Sequence, residues 1–212
     1  MRNRRKIRNL AGLLAVGAGL VAVAGCGGPG AAEAGAGDED QTIQPLPIAT
    51  PESGSIVASQ AASVSQNLAQ AQITIVYNRP VARGREIFGS LVPWGKVWHP
   101  GANQATYLHT TADILFGGQP LPAGRYSLWT IPTPEEWTII LHRDWDVFHM
   151  PYPGDEGVEL RVTAIPQPAE HMESMAFYFP VADGRKGTLA FHWGETRIEI
   201  PIEVPAATGV AR

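Results

Sequence analysis

The chain has 212 residues, 44% hydrophobic and 17% charged, enough for one domain of ordinary size with additional segments but not for two large ones. It holds 16 basic and 20 acidic residues for a formal net charge of −4, and five of the basic residues (Arg2, Arg4, Arg5, Lys6, Arg8) precede residue 9. The part after residue 25 is therefore close to −9, which argues against nucleic-acid partners, whose phosphates need clustered Lys and Arg. A single cysteine excludes an internal disulfide framework and a four-cysteine zinc site.

The basic stretch MRNRRKIRN is followed by an apolar run, Leu10–Ala24, and by Val23-Ala24-Gly25-Cys26. As a helix the run would extend about 22 Å, short of the roughly 30 Å hydrocarbon core, so it reads as an export signal and not as a permanent span. Small residues before the only cysteine match a lipoprotein signal. Residues 1–25 are expected to be removed and the Cys26 thiol to receive a diacylglycerol, a multi-chain anchor beyond the reversible single-chain regime. Gly28 in place of an acid near Cys26 favours the outer membrane, facing the periplasm, by the sorting behaviour of enteric bacteria.

Residues 26–58 form the lipidated end and a linker rich in Gly, Ala and Pro, with five acids, no bases and no aromatics. Such a composition cannot bury enough apolar surface to order itself, and its r.m.s. span is about 30 Å. Every Trp, Tyr and Phe lies after residue 76, which assigns the folded domain to residues 59–212.

Within that domain Ser59–Ala71 fits either a short helix or a frayed lead-in, because Ala61, Ala62, Val64, Leu68 and Ala71 fall near one helical side. Thereafter the period is two. Strands are predicted at Gln72–Tyr77, Ala105–Thr111, Asp113–Phe116, Arg125–Ile131, Trp137–His142, Glu159–Ala164, Ser174–Phe179, Thr188–Trp193 and Arg197–Val204, separated by Gly and Pro turns such as Gly117-Gly118 and Asp183-Gly184. Pro201 on the polar side of the last one assigns it to a sheet edge. About nine short strands point to an all-β fold, an antiparallel β-sandwich or jelly roll.

The stretch 77–106 concentrates chemistry on a loop rich in Gly and Pro. Arg85 offers a planar fork for a carboxylate or phosphate, Asn103 a donor and an acceptor, and Trp98 a flat face for a sugar ring, with His99 and Thr106 beside them. A small polar or saccharide-like ligand is one reading. An architectural role is the other, with Arg85 neutralising an acid, Asn103 capping a turn and the tryptophans plugging the sandwich. A metal-dependent or hydrolytic enzyme would use His99 with His142 or His149, but the six histidines show no ligand spacing, so no metal and no cofactor are predicted. His109, His142 and His192 are explained as solvent-facing strand positions. There is no Gly-x-Ser-x-Gly elbow, and no catalytic residue is assigned. A protein-interaction module would dock an envelope partner on the edge Arg197–Val204 or on exposed tryptophans.

Several runs carry a family likeness: Tyr77-Asn78-Arg79-Pro80, Gly84-Arg85-Glu86-Ile87-Phe88-Gly89, Leu91-Val92-Pro93-Trp94-Gly95, Val97-Trp98-His99-Pro100-Gly101-Ala102-Asn103-Gln104-Ala105-Thr106 and Leu121-Pro122-Ala123-Gly124-Arg125-Tyr126-Ser127-Leu128, followed by Trp137-Thr138-Ile139-Ile140-Leu141. Over about Ser59–Val204 the chain resembles the bacterial family catalogued as domain of unknown function 2911. That resemblance implies an exported all-β domain and no established activity. His99 stands where Arg is usual in that pattern, and His142 where Asn is usual.

Overall fold

The computed structural model describes residues 58–206. The export signal, Cys26 and nearly all of the linker lie outside the described residues, as do residues 207–212.

Ten strands and no helix make up the described residues. A six-stranded antiparallel sheet has the order β1-β2-β3-β6-β7-β8, from β1 (Gln60–Leu68), β2 (Ala71–Arg79), β3 (Tyr107–Thr110), β6 (Gly124–Pro132), β7 (Trp137–His142) and β8 (Val158–Ala164). The second sheet has the order β5-β4-β10-β9, from β4 (Ile114–Phe116), β5 (Gln119–Leu121), β9 (Gln167–Asp183) and β10 (Lys186–Glu203). β1 approaches β9 and β8 approaches β5, so the open edges of the two sheets are neighbours without a closing ladder, which shields them from foreign strands.

The ambiguous lead-in is a strand. Residues 60–68 alternate exposed and half-buried positions, with Ala62 and Val64 packed on the core, and Leu68 pairs with Ala71 across a two-residue turn in which Ala69 takes φ 47°. The partner β2 is rich in β-branched residues, and cross-strand pairing along nine positions overrides the helical preference of the alanines.

Two of the expected strands, Thr188–Trp193 and Arg197–Val204, are one. Gly194 at φ 58° sits at a β-bulge between them, so the glycine that reads as a break bends a continuous β10. β1 and β5 are the additions. β10 is also interior to its sheet, contrary to the edge assignment. Pro201 is tolerated because the ladder to β9 ends at Arg197↔Gln167, while on the other flank its carbonyl accepts from Gly117 N–H at 2.8 Å.

The core lies between the sheets. Ile73, Ile75, Leu108, Leu128, Ile139 and Leu141 project from the six-stranded sheet to meet Phe116, Phe177, Phe191, Ile198, Ile200 and Ile202 from the other. A smaller cluster of Ala105, Trp129 and Ile140 lies on the outer face of the six-stranded sheet, covered by Val147, Tyr152 and Val158. His109, His142 and His192 are buried and not solvent-facing, with His142 fully so. Their outward strand direction is as expected for His142, but the 143–157 loop folds over that face and takes it out of water.

Candidate functional site

Residues 80–106 connect β2 to β3 and are stitched to both sheets. Ala82 N–H donates to Glu173 O at 2.8 Å and Met175 N–H to Pro80 O at 3.0 Å, which pins the start of the loop to β9. Further on, Gly95 N–H donates to Pro132 O, and Trp98 and Thr130 exchange both backbone bonds at 2.8 and 2.7 Å. The segment around Trp98 thus takes over beside β6 where β3 stops. Between these anchors Phe88 enters the core, 4.9 Å from the ring of Trp137 and 6.3–6.5 Å from those of Trp193 and Phe191, so it touches both sheets.

Because successive residues of an extended segment face opposite ways, the Trp98-His99 step divides the sequence-derived site in two. Trp98 points inward and stacks on Trp193 at 6.2 Å and 15°. It borders a cleft of about 300 Å³ shared with Arg83, Arg85, Leu91, Pro80 and Trp193, with Ala58 and Ser59 at its rim. Arg85 donates Nε–H to Ala82 O at 2.9 Å and Nη2–H to Val81 O at 2.6 Å, leaving the rest of the fork free. Among the described residues neither Arg83 nor Arg85 forms a salt bridge with a carboxylate. Arg85 and Trp98 therefore share one opening, and Arg85 caps the turn through backbone carbonyls, whereas the architectural reading has it neutralising an acid.

His99 and Asn103 lie elsewhere, on the outer side of the six-stranded sheet, while Thr106 stands opposite Leu128 of β6, whose N–H donates to its carbonyl at 2.7 Å. His99 is 4% exposed and donates Nε2–H to Gln104 O at 3.1 Å. Burial first, and then the neighbouring His149, push its pKa down to about 4, so it is a neutral ring at pH 7. Thr106 is fully buried and its hydroxyl donates to Pro100 O at 2.7 Å. Gly101 is required here, since a Cβ would fall 2.6 Å from both His99 Nε2 and Thr106 Oγ1. Asn103 is exposed at φ 62°, a conformation Asn tolerates, and its carbonyl accepts from His149 Nδ1–H at 2.7 Å and His149 N–H at 3.2 Å.

A ladder of rings crosses this face. His99 stacks on His149 at 5.7 Å and approaches Trp129 at 5.9 Å; Trp129 meets Tyr152 at 5.2 Å, and Tyr152 meets His142 at 6.1 Å. The two histidines that depart from the resemblance pattern thus belong to the same ladder. His142 accepts the Asp144 N–H through Nδ1 at 3.0 Å, which directs its proton to Nε2, a buried atom without a hydrogen-bond partner among the described residues. Ser127 is fully buried, accepting from Trp129 Nε1–H and donating to Asp144 O. Among the described residues no three His, Cys, Asp or Glu side chains gather closely enough to hold a metal ion.

Sequence reasoning did not single out Arg83, Trp193 or Tyr152. Arg83 was open to detection, two residues before Arg85 in the same loop, whereas Trp193 and Tyr152 come from distant segments that only the packing brings in.

The family model for a protein of unknown function (DUF2911) matches residues 59–202. The chain belongs to that family. The match begins one residue before β1 and ends in β10, so the shared DUF2911 unit is the whole two-sheet sandwich with its 80–106 loop. No curated protein and no solved structure matches the chain.

Proposed function

We propose that this DUF2911 protein is an exported module, anchored in the outer membrane through lipid on Cys26 and facing the periplasm, that holds a small polar, anionic or saccharide-like ligand in the 80–106 cleft. The observation that carries the reading is the convergence of Arg83, Arg85 and Trp98 on one opening of about 300 Å³, with guanidinium donors left over after the backbone is capped. A planar fork suits a carboxylate or phosphate, and the part of the Trp98 indole not covered by Trp193 suits the apolar face of a sugar. The cleft volume matches the lower end of small-molecule sites.

Thermal unfolding of the unlipidated chain against uronic acids, sugar phosphates, peptidoglycan fragments and dicarboxylates tests it. At a hundred times its dissociation constant one class is expected to add about 2.7 kcal/mol, a shift of a few degrees. Arg85→Lys and Arg83→Ala are expected to remove the shift while melting normally without additive. No shift with any class, or a shift that both variants retain, defeats the reading.

A further inference from the structure

We infer that the tip of the 80–106 loop, Leu91 to Val97, is a docking surface for an anionic phospholipid bilayer. The loop presents large apolar side chains outward: Leu91 is 43% exposed, Trp94 38% and Val97 41%. The presentation is rigid. Val92 is buried as an anchor, its N–H donating to Ile87 O at 2.7 Å, while Gly89 N–H donates back to Val92 O at 2.9 Å and Phe88 stacks under Trp94 at 6.0 Å. A segment so braced cannot fold its apolar groups away from water, and three of them within seven residues is more than a solvent-facing loop needs.

Charge selects the occupant. From Arg79 to His99 the chain carries Arg79, Arg83, Arg85 and Lys96 against Glu86 alone, whereas the chain after residue 25 is strongly acidic. In space Arg83 and Arg85 share the cleft with Leu91, Glu173 meets Arg83 by accepting its backbone N–H at 2.7 Å, and Lys96 stands exposed on the tip itself. A cationic tip of Trp, Leu and Val therefore matches an anionic headgroup layer over an apolar interior, with Trp at the boundary and Lys96 reaching the phosphates. Ala58 and Ser59, the first described residues, at the end of the linker, border the same cleft as Leu91 and Arg83. A second exposed apolar pair, Phe148 at 53% and Met150 at 70%, lies on the 143–157 loop among Asp144, Asp146, Asp155 and Glu156, which an anionic surface repels. The inference requires neither a ligand in the cleft nor an acyl chain at Cys26.

Its test is co-sedimentation of the 26–212 chain carrying Cys26→Ser, which cannot be acylated, with phosphatidylglycerol–phosphatidylethanolamine vesicles and with phosphatidylcholine vesicles. Binding to the anionic vesicles alone, weakening as salt rises, is expected. Lys96→Glu, at an exposed position, is expected to weaken it about tenfold or more, and Leu91→Ser/Trp94→Ser/Val97→Ser to abolish it with the circular dichroism spectrum unchanged. Phe148→Ser/Met150→Ser is expected to bind as the parent does. Absence of binding to anionic vesicles, or equal binding by Lys96→Glu and the parent, overturns the inference; so does a parent dimer that the triple variant converts to monomer without any vesicle binding, which would make a second copy the occupant.

Discussion

His99 shows how a residue type understates its role until its surroundings are known. With its pKa lowered from 6.5 to about 4, the folded protein refuses a proton that the unfolded chain accepts. The stability gained from the neutral ring is complete above about pH 6.5 and is lost as pH falls toward 4, where the loss levels off, a swing of about 3 kcal/mol. His109, lowered by burial and then by Arg125, adds in the same direction. Denaturant unfolding between pH 7 and 4 is expected to show this decline, and His99→Asn to flatten it; an equally steep decline in the variant would assign the acid sensitivity to other groups. Among the candidate residues, the donor capacity of Arg85 was legible from its type. The engagement of Thr106 with Pro100 and the burial of His142 beneath 143–157 were not, because each depends on which loop folds over which face.

At the scale of elements, the 80–106 loop behaves as part of the core. Phe88 contacts Trp94, Trp98, Trp137, Phe191 and Trp193, joining the loop to both sheets through one side chain. Phe88→Ala is expected to cost about 3 kcal/mol and to speed hydrogen exchange in residues 80–98 before the strands; exchange unchanged in the loop would mean that its backbone bonds to β6 and β9 suffice. Alternation located most strands because a strand wet on one face and buried on the other must alternate, as Arg197–Val204 does. It failed at β1, where alanines satisfy two periods at once, and at Gly194, where a bulge and a chain break share one residue signal.

For the whole molecule, the division between an acidic linker and an aromatic-rich domain follows from composition, and the linker's start at Cys26 sets the anchoring prediction. Cys26→Ser is expected to move the protein from the detergent phase to the aqueous phase and to abolish incorporation of labelled palmitate, with the melting temperature of the domain unchanged. Aqueous partitioning of the parent chain would refute the anchor. The lipid at Cys26 and the cationic 91–97 tip reinforce each other through effective concentration, so in free energy Cys26→Ser and Lys96→Glu together are expected to cost no more than the sum of the single variants, because a variant that detaches one end already forfeits the linkage.

Hydropathy periods, turn residues and the lone cysteine are local properties, and they sufficed for the all-β class and set the export prediction. Face, neighbour and order are not local. A strand's alternation says that its two sides differ without saying which sheet it joins, so the division of Trp98 from His99, the pairing of β1 with β2 and the covering of the outer face by residues 143–157 were decided by packing. A loop without a repeating pattern carries the least information of all, and that is why the cleft's Trp193 and the ring ladder from His99 to His142 emerge only when the two sheets and their loops are assembled.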